Sequence, residues 1–392
     1  MQVISAASRH LETSQAVVQV LEQVQGSLSG ADPDLLCLFV TAEHAARFPV
    51  IVQSLRDIWP AACLVGCGAS SVIGGGHEVE RGPAISLLAI QWANAHFTTF
   101  HLTEEQLSEA AANPSALVGP LTGGDREPAC LMLLADPFSP GAAALLPSLD
   151  SALPTTPVIG GVASGVNTPG STCLTADGQT HREGVAGVSI SGDLEVATLV
   201  TQGCRPIGAP LFVTSASEQA ISTLDGRPPM DILQELFEAG DRRERALLQS
   251  SLFLGIQMEA GRSEYQQGDF LIRNLTGVDE ERGAIAVAGD VHPNGVVQFH
   301  VRDAHTASED LELALRSQTR LRERLHGALL FSCLGRGEGL YGVPDHDSDR
   351  LRERLGPVPI GGFFGNGEIG PVGGRTHLHA YTSAFGLLCA PA

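Results

Sequence analysis

Two charged side chains in the last sixty residues of the chain are well suited to bind a small polar ligand. Arg336 follows the apolar run 328–333, and Glu368 lies in the glycine-rich stretch 359–374, which reads PIGGFFGNGEIGPVGG. An arginine presents a planar pair of donors to a carboxylate, and a carboxylate accepts hydrogen bonds from an ammonium or hydroxyl group. The two residues therefore predict a site for a small zwitterion. An ion pair between them that holds the glycine-rich stretch in place explains the same pattern.

The glycine-rich stretch contains seven glycines in sixteen residues. Glycine is favoured where the backbone needs a positive φ angle or where the main chain approaches another group closely. Because apolar runs flank this stretch, we expect 361–374 to form a loop that lines a pocket at a strand end, with Arg336 and Glu368 pointing into it. Other residues at predicted strand ends and in this loop complete the candidate set. The predicted ligand-binding residues are Arg336, Glu368, Asn366, Gly361, Gly362, Gly365, Gly367, Arg273, Asn274, Asp290 and Cys333.

The 24 basic residues of this 392-residue chain are all arginine, since the sequence contains no lysine. This composition excludes a Schiff-base lysine and the lysine of a Walker A loop. The formal net charge is −20, which argues against a nucleic-acid partner and against binding to an anionic membrane surface. The sequence has neither a signal-peptide pattern nor an apolar segment long enough to span a membrane. We therefore expect a cytoplasmic protein.

The cysteine and histidine patterns predict no metal and no cofactor. The eight cysteines are scattered, several within apolar runs, which is typical of buried, reduced thiols in the cytosol. His377 and His379 form a lone HxH pair, which is more often surface or pocket polarity than a pair of metal ligands. The stretch 365–370 matches GxGxxG, but Pro371 and two glycines follow it where a dinucleotide site needs a helix.

One supersecondary pattern occurs three times along the chain. Each copy has an apolar strand, a helix, a short strand ending in glycines, a loop of small residues and a further strand, at 35–90, 130–190 and 328–388. The pattern predicts the α/β class, with two α/β domains whose mixed β-sheets are built from a repeated strand-helix-strand-Gly loop-strand unit. Divergent triplication of one unit explains this regularity.

A boundary between two domains is predicted near residue 205. The segment 202–210, QGCRPIGAP, contains two prolines and two glycines and indicates a linker. We therefore divide the chain into an amino-terminal domain at 1–205 and a carboxy-terminal domain at 206–392. The first two copies should superimpose on each other, and the third, in the other domain, should superimpose less closely.

Several stretches of the chain resemble the FIST domain family (F-box and intracellular signal transduction). The similarity is carried by LVGCGASSVIGGGHEVE in the first half and by FLIRNLTGVD, FSCLGRGEGLYG and VPIGGFFGNGEIGPVGG in the second. The resemblance covers about residues 35–200 as the FIST N domain and 215–375 as the FIST C domain. It implies a sensory module that binds small ligands such as amino acids or related metabolites. Since no further signalling segment accompanies the two regions, it also implies a separate signalling protein as partner.

The leading hypothesis is a cytoplasmic, small-ligand-binding sensory protein rather than an enzyme. One branch of the FIST family resembles haem-binding nitric-oxide sensors, so a haem-based gas sensor is the second hypothesis and retains the histidines as candidate ligands. The third hypothesis is an enzyme with Cys333 or Cys67 as nucleophile, for which the sequence offers no obvious histidine partner. The resemblance supplies no established ligand residues, so the candidate set rests on the residues themselves.

Overall fold

The chain forms two compact units that are not contiguous in sequence. The computed structural model describes residues 1–122, 127–176, 178–217, 219–262 and 264–391. The first unit contains Met1–Val200, Glu312–Leu378 and Thr382–Ala392, and the second contains Thr201–Leu311 and His379–Tyr381.

The strands account for most of the regular structure in both units. In chain order they are β1 Gln2–Ser8, β2 Leu35–Thr41, β3 Cys63–Ala69, β4 Ser71–Gly74, β5 His77–Val79, β6 Ile85–Gln91, β7 Ala95–Leu102, β8 Cys130–Ala135, β9 Val158–Val162, β10 Leu174–Ala176, β11 Gln179–His181, β12 Val185–Gly192, β13 Glu195–Gln202, β14 Cys204–Ser217, β15 Ala220–Leu224, β16 Leu252–Gln257, β17 Phe270–Asp279, β18 Ala284–Val287, β19 Val296–Arg302, β20 Leu325–Cys333, β21 Ile360–Gly365, β22 Glu368–Val372, β23 Arg375–His379 and β24 Thr382–Cys389.

The helices connect these strands. They are α1 Thr13–Ser27, α2 Ala42–Ala45, α3 Phe48–Ile58, α4 Glu104–Ala112, α5 Val118–Thr122, α6 Gly141–Ala152, α7 Pro229–Ala239, α8 Arg242–Ser250, α9 Ala304–Ser317, α10 Glu338–Tyr341 and α11 His346–Leu355, with 3-10 turns at Pro114–Leu117 and Thr319–Leu321.

The three copies share one strand order, which confirms the triplication. In the first copy, β2 and β3 are parallel, α3 lies between them in sequence, and β6 pairs antiparallel with the other edge of β2. The second copy repeats this arrangement with β8, α6, β9 and β12. The third repeats it with β20, α11, β21 and β24. The chain therefore has the predicted α/β class with mixed sheets.

The strand that follows each glycine step joins the sheet of a different copy. β4 of the first copy pairs with β21 of the third, β10 of the second pairs with β3 of the first, and β22 of the third pairs with β9 of the second. This cyclic exchange links the three copies within the first unit. The resulting sheets have the orders β1-β6-β2-β3-β10-β11, β23-β22-β9-β8-β12-β7 and β13-β24-β20-β21-β4-β5.

A glycine occupies the same place in the second strand of every copy. A Cβ atom on Gly66, Gly160 or Gly362 would lie 2.2, 1.9 or 1.8 Å from a carbonyl oxygen of the neighbouring parallel strand. The oxygen belongs to a leucine each time: Leu38, Leu133 or Leu330. Because no side chain fits at that separation, the fold itself requires these glycines. They also set the residue-by-residue correspondence between the copies.

The core of the first unit is apolar and combines side chains from all three copies. Phe39 of the first copy lies 5.3 Å from Phe363 and 6.4 Å from Phe331 of the third, measured between ring centroids. The strands β2, β8 and β20 are continuous apolar runs because both of their faces are covered. A second cluster packs α1 and α3 against β1, β2 and β6.

The second unit is a closed barrel with the strand order β14-β15-β18-β17-β16-β19, and α7 and α8 pack on its core. Most of the segment expected to be a linker belongs to the 14-residue strand β14, where Gly208 and Pro210 lie at the shift of the β14–β19 register. The third copy belongs to the same compact unit as the first two, because its strands pair with theirs. The compact units therefore have different boundaries from a division at residue 205.

The glycine-rich stretch is mainly strand and not the expected long loop. β21 and β22 occupy most of it, and only Gly373 and Gly374 within it have positive φ angles. Glycine at the earlier positions is explained by close packing, since a Cβ on Gly361 would lie 2.7 Å from the side chain of Leu88. On Gly365 it would lie 2.9 Å from the carbonyl oxygen of Val162.

The thiols are mostly buried, as the sequence predicts. All eight cysteines are among the described residues and none forms a disulfide; only Cys63 and Cys333 are partly exposed. In the described part of the chain, none of the helices combines the length and the apolar character needed to cross a bilayer.

Candidate functional site

The strand ends of the third copy carry buried polar side chains where the other copies are apolar. Ser332 closes β20, Glu368 begins β22 and Ser383 lies near the start of β24, and all three are almost fully buried. The strand registers give the corresponding residues of the other copies. They are Val40, Val72 and Ile85 in the first copy and Ala135, Leu174 and Val185 in the second.

A buried ion pair lies at the centre of this polar cluster. The guanidinium of Arg336 donates to the carboxylate of Asp347 through Nε at 3.0 Å and Nη2 at 3.3 Å. The side chains are 0% and 2% exposed. This two-point contact is the geometry in which an arginine binds a carboxylate most strongly. The third guanidinium nitrogen, Nη1, is buried and has no hydrogen-bond partner among the described residues.

Two further side chains bind the Asp347 carboxylate. The Ser383 hydroxyl donates to Oδ2 at 2.6 Å, and the His346 Nδ1 lies 2.9 Å from Oδ1. Ser332 extends the network, with its hydroxyl 2.9 Å from that of Ser383. Burial alone would raise the pKa of Asp347, but the Arg336 charge and these hydrogen bonds hold it well below its usual range. Asp347 is therefore ionised at neutral pH.

The pKa of Glu368 is shifted in the opposite direction from that of Asp347. Its Oε2 accepts hydrogen bonds from the backbone N–H of Thr382 at 3.1 Å and from the Thr382 hydroxyl at 2.7 Å. Burial raises the pKa of this carboxyl to about 8, although Thr382, Arg336 and Cys333 all favour the charged form. Its second oxygen, Oε1, is buried and makes no hydrogen bond to any described residue. At neutral pH the group is therefore mostly protonated.

A second buried carboxyl comes from the first copy. Glu78, on β5, accepts hydrogen bonds at Oε1 from the Ser348 N–H and hydroxyl, both at 2.7 Å. Burial and the nearby Asp347 charge raise its pKa to about 8. The cluster thus contains one ionised pair, Arg336 and Asp347, and two carboxyls that are mainly neutral at pH 7.

Tyr341 and Cys333 are the partly exposed members of the cluster. The Tyr341 ring is stacked on His346 with centroids 3.5 Å apart, and the Arg336 guanidinium lies 5.6 Å from its centroid. The tyrosine ends the one-turn helix α10, which has glycines with φ angles of 70° and 72° on either side, Gly337 and Gly342. Burial raises the pKa of Tyr341 above its ordinary value. The Cys333 thiol lies against Glu368.

The structure brings some of the predicted site residues together. Arg336, Glu368 and Cys333 belong to one cluster, but Arg336 pairs with Asp347 and not with Glu368. Gly361, Gly362 and Gly365 lie in the buried strand β21. Asn366, at the exposed turn before β22 next to the buried Gly367, donates from Nδ2 to the carbonyl oxygen of Ala163 at 3.2 Å. The alternative explanation of the pattern, an ion pair between Arg336 and Glu368, is therefore wrong, because the guanidinium is paired with Asp347.

The remaining predicted residues belong to the second unit. Arg273 and Asn274 are on β17, where the Asn274 Oδ1 accepts a hydrogen bond from the Tyr381 hydroxyl at 2.7 Å. Asp290 is exposed after β18. The cluster described above lies entirely within the first unit, so these three residues are no part of it.

Sequence reasoning missed most of the cluster. Asp347, Ser383, Thr382 and Glu78 come from a helix start, a strand start and a hairpin of a different copy, and nothing in their spacing relates them. A signal was nevertheless present, because aligning the three copies would have shown polar residues of the third opposite apolar residues of the other two. Among the described residues, no group of three or more histidine, cysteine or acidic side chains could hold a metal ion.

The fold defines an α/β protein of three like copies, the third of which carries the buried polar cluster described above. The sequence matches the FIST N domain at residues 34–227 and the FIST C domain at residues 229–371. The chain therefore belongs to the FIST family, whose domains are associated with sensory signal transduction.

Similar proteins occur in mycobacteria. An uncharacterized protein of Mycobacterium bovis is 38% identical over 380 residues, and one of Mycobacterium tuberculosis (strain H37Rv) is 36% identical over 380 residues. Each alignment covers 96% of both chains. Among solved structures, a cyanuric acid hydrolase from A. caulinodans aligns with all of this chain and 99% of its own, at 10% identity and a TM-score of 0.41. Similarity at that level carries no argument about function.

Proposed function

We propose that this protein is a cytoplasmic sensory protein that binds a small metabolite, such as an amino acid or a related compound, at the polar cluster of the third copy. A separate signalling protein would read the bound state. The family's association with sensory signal transduction supports the general class. The polar cluster supports the position of the ligand.

One observation carries the proposal: the third copy has polar groups in a place where its sister copies have apolar ones. A buried polar atom without a partner costs about 1–3 kcal/mol. Two such atoms in this cluster, Arg336 Nη1 and Glu368 Oε1, have no partner within the described chain. Since Val72 and Leu174 show that an apolar residue suits the Glu368 position, packing does not explain the carboxyl. A ligand that satisfies these atoms does.

The direct test installs the residues of the first copy in the third. The double variant Glu368→Val/Thr382→Ala recreates the pair Val72 and Ala84, and it removes the carboxyl and the hydroxyl that donates to it. The backbone N–H of residue 382 loses its acceptor, Glu368 Oε2, a role that Thr41 Oγ1 fills for Ala84 in the first copy. We therefore expect the free energy of unfolding to differ from that of the parent by no more than about 2 kcal/mol.

Binding is measured by native mass spectrometry and thermal shift with a defined library of small metabolites. We expect at least one compound to bind the parent and none of the bound compounds to bind the double variant. A matched control, Thr276→Ala/Glu281→Val, makes the same replacements at exposed positions of the second unit and should bind like the parent. The proposal fails if no compound binds the parent, or if the first-copy residues leave binding unchanged.

A further inference from the structure

We propose that the ligand of this cluster is a small organic anion, and that its carboxylate oxygens accept hydrogen bonds from Arg336 Nη1 and from a protonated Glu368 at Oε1. This inference rests on the proposed function and specifies its ligand class. It also replaces the zwitterion suggested by the residues alone, in which Glu368 would be charged and would bind an ammonium group.

The first donor is the remaining edge of Arg336. Nε and Nη2 are committed to Asp347, so the charge of the pair is balanced while Nη1 is left with hydrogens to donate. A guanidinium stays protonated at all ordinary pH values and has no acceptor atom. Whatever satisfies Nη1 must therefore present a lone pair. An oxygen of a carboxylate fits this requirement, and an ammonium group does not.

The second donor is Glu368, and its hydrogen bonds decide which oxygen carries the proton. In the arrangement observed, the N–H and the hydroxyl of Thr382 both donate to Oε2, so Oε2 is the accepting oxygen of the carboxyl. When the carboxyl is neutral, the proton therefore lies on Oε1, the oxygen without a partner among the described residues. Burial keeps this neutral form dominant below about pH 8. At neutral pH Glu368 is thus a hydrogen-bond donor.

The rest of the cluster is compatible with a bound anion. The titratable and charged groups around the two donors are Glu78, Cys333, Arg336, Tyr341, His346 and Asp347. The single ionised carboxylate among them, Asp347, is neutralised by Arg336, while Glu78 is mostly protonated below pH 8. The Tyr341 hydroxyl is close to Asp347 but forms no hydrogen bond of normal length to the described chain.

Binding should weaken as the pH rises past the Glu368 transition. Ionisation removes the Oε1 hydrogen and places a negative charge beside the ligand carboxylate. Above about pH 8, loss of the Glu368 proton should therefore raise the dissociation constant of the acid by up to tenfold per pH unit. Glu78 can add a second proton to this dependence. A ligand with an ammonium group at Glu368 would show the opposite trend.

The test uses matched acids and primary amides with the full-length protein: propionate with propionamide, lactate with lactamide, and succinate with succinamide. Glycine serves as the zwitterion for comparison and should bind more weakly than the best of these acids. Isothermal titration at concentrations up to about 10 mM detects dissociation constants in the millimolar range. We expect at least one acid to bind at pH 7, and its amide to bind at least about tenfold more weakly.

The variant Glu368→Gln separates a donor from a charge. Its carboxamide can accept hydrogen bonds from Thr382 and donate one at the former Oε1 position. The Kd for the acid at pH 7 should therefore lie within about threefold of the parent value. Because the carboxamide does not ionise, the slope of log Kd against pH should fall by about one. Thermal unfolding verifies that the variant folds. An amide that binds more tightly than its acid, or a Kd that falls as the pH rises past 8, overturns the inference while leaving the proposed function intact. Absence of binding by every acid, while a compound of the metabolite library binds the parent, also overturns the inference alone; absence of binding by every acid and by the library overturns both.

Discussion

The third copy and its two sister copies differ at the ends of the same strands. Ser332, Glu368 and Ser383 occupy positions that are filled by valine, isoleucine, alanine or leucine in the first two copies. The sister copies show which side chains the fold accepts there: apolar ones that pack without hydrogen bonds. The two serines are hydrogen-bonded to each other and Ser383 to Asp347, whereas Glu368 keeps a buried oxygen, Oε1, without a partner among the described residues, which has a cost in stability. Packing therefore does not account for the polar residues at these positions of the third copy.

The three copies agree completely at another set of positions. Gly66, Gly160 and Gly362 all face a leucine carbonyl oxygen at a separation that no Cβ can occupy. Positions with the same residue in all three copies are therefore those that the fold requires. Positions where only the third copy is polar are those that the fold does not explain. The predictions below test both halves of this comparison.

Loss of Arg336 should have the largest effect, because it leaves Asp347 charged, buried and without its cation. The variant Arg336→Met keeps the apolar stem and removes the guanidinium. We expect a loss of about 3–5 kcal/mol in the free energy of unfolding, measured by urea denaturation.

An exposed ion pair on α11, the helix that carries Asp347, provides a control for this loss of stability. Arg350 and Glu353 are 44% and 57% exposed and 2.8 Å apart, so Arg350→Met should cost no more than about 1 kcal/mol. If the two variants have equal stability, the buried pair is not the electrostatic centre of the third copy.

Alanine at the shared glycine should have the next largest effect. A Cβ on Gly362 would overlap the carbonyl oxygen of Leu330 at 1.8 Å, so the two parallel strands must separate. We expect Gly362→Ala to destabilise the protein by about 1–3 kcal/mol or more, with similar losses for Gly66→Ala and Gly160→Ala. Gly339→Ala, with no atom within 4 Å of the added carbon, is the control and should be neutral. Equal melting temperatures for Gly339→Ala and Gly362→Ala would contradict the packing explanation.

Much of the fold was predictable from the sequence, because buried strands and glycine steps recur with regular spacing. The apolar runs that became β2, β8 and β20 and the glycines that follow them sufficed for the class and the triplication. The placement of the third copy was not predictable in this way. It depends on β4, β10 and β22 joining the sheets of other copies, and no local pattern records which sheet a short strand enters.

The candidate site was predictable only in part for a related reason. Arg336 and Glu368 were recognisable as charged residues in an apolar context, and both belong to the cluster. The partner of Arg336 was not recognisable, because Asp347 is one of several acidic residues at the start of α11 and resembles a helix-capping pattern. Only the packing of α11 places that particular carboxylate against the guanidinium.

The pH dependence of stability provides a third prediction. The pKa of Glu368 is raised to about 8 in the folded protein, above the ordinary value of 4.5. The folded state therefore binds more protons between these limits, and the Glu368 contribution to stability is full below about pH 4.5 and is lost as the pH rises to 8. Glu368→Gln cannot ionise, so its stability relative to the parent should increase across this window by at most about 1.4 kcal/mol per pH unit.

Urea denaturation at a series of pH values from 5 to about 9 measures this difference. Glu235 is a suitable control because it is an exposed glutamate whose pKa is lowered by Arg227. Glu235→Gln should show no gain in relative stability as the pH rises through this range. If the free energy of unfolding of Glu368→Gln follows a curve against pH parallel to that of the parent, this carboxyl is ionised in the folded state. The strand ends of the third copy would then hold no neutral buried carboxyl at this position.

Thiol labelling gives the smallest and most local of the effects. Cys63 in the first copy and Cys333 in the third are the partly exposed cysteines, whereas the other six are buried. A small thiol reagent should therefore label these two first in the native protein.

A bound acid should protect Cys333 from the reagent, because its thiol lies against Glu368. The labelling of Cys63, whose thiol donates to the carbonyl oxygen of Phe97, should be unaffected. At a ligand concentration ten times its Kd, the labelling rate of Cys333 should fall about tenfold. Mass spectrometry of peptide digests resolves the two sites, and the Glu368→Val/Thr382→Ala variant should show no protection at either. If the ligand slows labelling equally at Cys63 and Cys333, it stabilises the unit as a whole. The polar strand ends of the third copy would then not be the place where the ligand binds.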